Sequence, residues 1–135
     1  MKDHAETEIL SPSDGLRAAA ERLVFRLGVR AHLNGYAYLT DAVALYGEES
    51  ADIDIYGAVG KAYGLNRKTI MREINYALAQ AFDIDKHLSA LIGITIEKHE
   101  IHGSLVIAYL GKLCKRPWLS PLYENKNAPE IERIK

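Results

Sequence analysis

The chain has a single cysteine, Cys114, so no disulfide can form within it and a four-thiolate zinc site is excluded. It has no apolar run near the roughly 18 residues that a membrane-spanning helix needs. Its first residues, MKDHAETEIL, are acidic and lack the basic start and apolar stretch of a signal peptide. Missing too are a glycine-rich phosphate loop, a nucleophile elbow, and any spaced pair of carboxylates beyond acidic surface turns such as Asp52 and Asp54. An enzyme is therefore not expected, no catalytic residue or cofactor is assigned, and the default location is the cytoplasm. Nor is there an excess of positive charge. The net charge is -1 and the pI about 6.5, whereas a dedicated nucleic-acid binder is often basic. That sum decides little alone, because electrostatic contact depends on where the lysines and arginines sit.

What is present describes one domain. A chain of 135 residues is long enough for a core and too short for two ordinary domains. Hydrophobic residues at 48% and charged residues at 26% fit a globular protein rather than a disordered one. Residues 1–10 read as a loose lead-in, 11–116 as a helical domain, and 117–135 as a tail containing Pro117, Pro121 and Pro129. No internal repeat or low-complexity block interrupts them.

The expected fold class is all-α with about six helices. Ser11, Pro12 and Asp14 have the pattern of a helix start, and Leu16, Ala20, Leu23 and Leu27 recur at helical spacing up to Gly28. Asn34 and Gly35 open a second helix with Tyr36, Leu39, Val43 and Tyr46 in one stripe, and the acidic run Gly47–Asp52 breaks it. A third helix is expected from about Ile53 to Ala62, a fourth from Arg67 to about Phe82, and a shorter fifth over Lys86–Ile92. Gly93–His102 mixes β-branched and polar residues and reads as extended or as a loop. The last helix, Gly103–Leu113, has Leu105, Val106, Tyr109 and Leu110 on a broad apolar face, and Cys114 falls on that side as a small hydrophobe.

The stretch most informative about function is YGAVGKAYGLNRKTIMREINYALAQAF, Tyr56–Phe82. Two helices joined by a tight turn at Gly64 have the layout of a helix-turn-helix. Gly60 is small where the helices must cross. Val59, Tyr63 and Leu65 supply apolar contacts, and Ile70 and Ile74 face back from the second helix. Asn66 can cap that helix, with Leu65 and Ile70 at the positions of a hydrophobic staple. If Ile70, Ile74, Ala77, Leu78 and Ala81 are buried, Arg67, Lys68, Met71, Arg72 and Asn75 share the exposed face, which a recognition helix turns to the major groove. Arg67, Lys68 and Arg72 would hold phosphates or read guanine edges, Asn75 would pair with adenine, and Lys61 would touch the backbone from one helix back. Glu73 departs from the pattern, since many such motifs carry an apolar residue there.

Upstream, LGVRAHLNGYAYLTDAV resembles the opening of the C-terminal effector domain of the sporulation stage zero protein A family, the master sporulation response regulators. Gly28-Val29, Ala31-His32, Gly35-Tyr36 and Tyr38-Leu39 carry the likeness. The segment LIGITI and the closing helix ending at Lys112-Leu113 extend it, so it covers roughly Ala18 to Leu113. The resemblance implies a six-helix transcription regulator that binds duplex DNA through its fourth helix. It also implies a homodimer or tandem head-to-tail binding. Carried over by position, it assigns Lys68, Thr69, Met71, Arg72 and Tyr76 to the DNA-facing set. Arg72 keeps the family's arginine, whereas Thr69 and Met71 stand where the family has a base-reading arginine and glutamate, so a different target is expected. The family's N-terminal receiver domain has no room in 135 residues.

The rival expectation is a protein-interaction module that keeps this fold, lacks DNA specificity, and pairs with a full-length regulator or with itself. Met71 on the exposed face and the tail residues Trp118, Leu119, Leu122 and Tyr123 point that way, unless the tail packs back on the domain. His99 and His102 are three apart but lack a clear third or fourth ligand, so a polar loop is expected there and no metal site. His32 is expected to pack or hydrogen-bond. The tyrosines at 36, 38, 46, 56 and 63 read as core and core edge.

Overall fold

The computed structural model describes residues 13–49 and 53–123, and these form an all-helical fold without strands. The helices are α1 (Asp14–Leu27), α2 (Asn34–Glu49), α3 (Ile55–Tyr63), α4 (Arg67–Gln80), α5 (Ile84–Ile92) and α6 (Gly103–Lys115). Lys98–Glu100 and Pro117–Leu119 add single 3-10 turns. No helix among the described residues is long and apolar enough to cross a membrane. The expected lead-in at 1–10, Ser11 and Pro12, and the tail beyond Tyr123 lie outside the described residues.

Local chemistry explains most helix ends. α1 begins at Ser13 rather than Ser11: its hydroxyl accepts from the Leu16 amide at 3.3 Å, and its own amide donates to Glu48 Oε1 at 3.1 Å. α1 ends at Gly28, α3 at Gly64 and α5 at Gly93, each in the left-handed region that glycine adopts without Cβ strain. α4 stops at Gln80, earlier than expected, because Asp83 takes a left-handed φ of 53° and restarts the chain as α5 at Ile84. Aspartate is among the few residues that tolerate that region. Gly93–His102 is a loop closed around its 3-10 turn. There Glu100 Oε1 accepts from the Glu97 amide at 2.8 Å, and His102 Nδ1 accepts from Leu105 N at 3.4 Å to cap α6.

Helix α2 ends at Glu49, within the run Gly47–Asp52 expected to break it, and Gly47 itself is still helical. The glycine is there for packing. A Cβ on Gly47 would lie 3.1 Å from the Gly111 carbonyl of α6, so the two helices cross almost backbone to backbone. At the other end of α2, a Cβ on Gly35 would overlap the Glu73 carbonyl of α4 and crowd the Ala77 Cβ at 2.7 Å. Between these contacts Leu39, Ala42, Val43 and Ala44 are fully buried, and α2 touches α1, α3, α4 and α6. Polar groups entering this core are bonded. The Thr40 hydroxyl donates to the Tyr36 carbonyl at 2.8 Å, and Asp41 accepts from the Tyr63 hydroxyl. The Arg17 guanidinium lies 2.8 Å from the other Asp41 oxygen, an ionic contact without the angle of a hydrogen bond.

Among the histidines, His32 is exposed rather than packed. His87, which no sequence signal marked, has Nδ1 3.2 Å from the Leu27 carbonyl at the end of α1. Cys114 is buried, and burial pushes its thiol up to about 12.

Gly35→Ala should push α2 and α4 apart and cost about 1–3 kcal/mol, read as a lower denaturant midpoint at unchanged slope. Cys114 should resist iodoacetamide at pH 8 in the native protein and react once denaturant unfolds it, since only the thiolate is alkylated.

Candidate nucleic-acid interface

The segment from Asp54 to Gln80 is built by caps. The Asp54 carboxylate accepts from the Gly57 amide at 3.2 Å and starts α3. Gly64, at φ 72°, ends α3, and the Leu65 amide reaches back to the Gly60 carbonyl at 2.8 Å. Gly60 is required here, because a Cβ would strike the Leu65 carbonyl. Asn66 then caps α4, its Oδ1 accepting from Thr69 N at 2.8 Å. Ile70, Ile74, Ala77 and Leu78 turn inward and are buried. Of the residues expected to pack the two helices together, Val59 is buried, while Tyr63 and Leu65 are each 38% exposed. Tyr63 stands edge-on to the Tyr38 ring at 4.8 Å, and burial followed by its bond to Asp41 pushes its hydroxyl up to about 12.

Helical geometry divides the outer surface of α4 into two ridges of residues four apart. On the first ridge, Arg67, Met71 and Asn75 are engaged within the chain. Arg67 grips Asp54 with two donors, Nε and an NH2 group, each at 3.1 Å. Its guanidinium also lies 5.7 Å from the Tyr56 ring centroid and 3.6 Å from Met71 Sδ. The bond from Arg67 holds the Asp54 carboxyl below the usual carboxylate range. Met71 is half-buried against the core. Asn75 Oδ1 accepts from the Gly103 amide at 2.8 Å and ties α4 to the first residue of α6. Beside that contact the Tyr56 and Ser104 hydroxyls meet at 3.1 Å.

The second ridge is Lys68, Arg72 and Tyr76, all exposed, spanning about 12 Å along the axis. Arg72 has only a loose 3.6 Å contact with Glu73, and its side chain keeps 68% of its exposure. Lys61 on α3 is also exposed. The nine residues expected at the interface therefore separate. Lys61, Lys68, Arg72 and Tyr76 face solvent, Arg67 is exposed but paired, Asn66 and Asn75 have committed their side-chain oxygens, and Thr69 and Met71 are half-buried. Asp54, which reads in the sequence as an ordinary surface acid, is the residue whose role was missed. Its position before an apolar helix was the only available signal.

Among the described residues no group of three or more histidine, cysteine or carboxylate side chains can hold a metal ion. No protein-family model matches the chain, and no curated protein matches it.

Asn66→Ala should cost about 1 kcal/mol of stability through the lost α4 cap. Because the folded Asp54 carboxyl is depressed, its contribution is full above its ordinary value of 3.8 and is lost as pH falls through the lower folded value. Asp54→Asn should therefore unfold with a flatter dependence of Tm on pH across that acidic range than the parent chain.

Proposed function

We propose that this chain is a sequence-specific duplex DNA-binding transcription regulator in which α3, the Gly64 turn and α4 act as a helix-turn-helix. The observation that carries this reading is the ridge of Lys68, Arg72 and Tyr76. It is a solvent-facing line of two cations and one aromatic on a helix whose opposite face is fully packed. A helix of this kind fits the major groove, where Arg72 would read a guanine edge and Lys68 and Lys61 would hold phosphates. Tyr76 would close the ridge with an apolar or hydroxyl contact. The resemblance of the α1–α2 segment to the sporulation regulator effector domain supports the same reading and suggests binding as a homodimer or in tandem.

The engaged ridge refines the assignment. Arg67 would act by fixing the start of α4 through Asp54, and Asn75 by holding α6, rather than by reading bases. Since Thr69 and Met71 are half-buried, target choice would fall to Lys68, Arg72 and Tyr76. The alternative is a module that docks on a full-length regulator or a second copy without reading DNA. One observation favours it: Arg67 and Asn75, two of the expected base or phosphate contacts, are already bound within the chain.

Selection from a random duplex pool should enrich one motif, bound with a steep salt dependence. The Lys68→Ala/Arg72→Ala double variant should bind at least about tenfold more weakly, with a salt slope shallower by about one for the lost Lys68 phosphate contact. Equal affinity in the double variant would remove the reading, and absence of any enriched motif would favour the docking module.

A further inference from the structure

The C-terminal end of α6 carries a surface that the DNA reading does not use. It lies about 18 Å along the helix axis from Gly103, where α6 meets α4. Beyond α6 the chain turns through Pro117–Leu119, a ridge that lends Pro117 to one hollow and Leu119 to another. One hollow, of about 520 Å³, is floored by Leu23 of α1, Leu91 of α5 and Leu113 of α6, and is closed by Leu122 and Tyr123. Arg22 and Arg26 stand on its wall. The other, of about 500 Å³, lies between Tyr46 and Leu119 and is lined by Lys112, Lys115 and Arg116. Five cations thus line the two hollows, and among the described residues no carboxylate lines either. The shared turn keeps Trp118 62% and Leu119 54% exposed.

From this arrangement we propose that the α6 end of the molecule docks an acidic segment of another protein, an amphipathic helix bearing leucine-type side chains on one face and carboxylates beside them. Charge complementarity selects the acidic character, since every charged group among the described residues lining the hollows is positive. The apolar lining selects the leucine-type side chains, which would enter the two hollows that share the Pro117–Leu119 turn. Aromatic and arginine side chains grouped around apolar pockets are the usual energetic centre of a protein interface. The surface does not depend on whether α4 reads DNA.

Trp118 is the only tryptophan in the chain, so its emission reports the surface directly. The probe is a synthetic helical peptide of about sixteen residues, long enough to hold four turns. It has leucines at i, i+3, i+4 and i+7 spacing and glutamates elsewhere, and matched peptides have glutamine or lysine in place of glutamate. With the full chain, the glutamate peptide should shift Trp118 emission to the blue in a saturable manner that weakens with added salt, and the other two peptides should not. Charge reversal by Lys112→Glu with Lys115→Glu, or separately Arg22→Glu with Arg26→Glu, should weaken binding at least about tenfold. These residues are exposed, and circular dichroism checks that each variant folds. No shift with the glutamate peptide, or an equal shift with the lysine peptide, would overturn the proposal. So would a shift produced only by phosphatidylglycerol vesicles, only by duplex DNA, or by raising the concentration of the chain alone.

Discussion

The fold depends on how closely α2 lies against its neighbours. At Gly35 its backbone rests on the Glu73 carbonyl of α4, and at Gly47 it rests on the Gly111 carbonyl of α6. Two helices packed through ordinary side chains have axes 8–10 Å apart. Glycines at both ends bring α2 in to the near limit, so its other residues are buried on nearly every side. The separation between α4 and α6 is then set by the length of α2 between a contact at Gly35 that has no room for a methyl group and a tight one at Gly47. That spacing is what allows Asn75 of α4 to reach the Gly103 amide of α6.

The same framework explains why the outer surface of α4 has two characters. The ridge nearest α3 and α6 is drawn into hydrogen bonds and an ion pair that set the orientation of the helix. The ridge one step further round is exposed among the described residues, with only the loose contact of Arg72 to Glu73. Exposed ion pairs contribute little stability alone. The Asp54–Arg67 pair matters for another reason: one carboxylate both caps α3 and holds the first residue of α4, so the two helices share a starting point.

Much of the architecture was legible in the sequence where signals are local. Gly64 and Asn66 mark the end of α3 and the start of α4 because a left-handed glycine and a capping side chain act within a few residues of themselves. The exposure of Lys68 and Arg72 follows from periodicity alone. Non-local contacts were not legible. The sequence pattern pointed to Ser11, whereas the cap of α1 is Ser13, whose amide bonds to Glu48, 35 residues away. Gly47 opens the run in which α2 ends, yet its own role is a helix crossing, which exists only once α6 is in place. Arg67 and Asn75 look like free groove contacts, yet their partners lie 13 and 28 residues away. Asp54 escaped notice for the same reason.

The division of α4 into an anchored and an open ridge bears on how this surface can diverge. Substitution at Lys68, Arg72 or Tyr76 changes only what the helix presents outward, so drift there is free to redirect recognition without disturbing the scaffold. Substitution at Arg67 or Asn75 must be matched by a change at Asp54 or at the start of α6. Descendants of this chain should therefore vary in the outer three singly, and in the inner pairs only together.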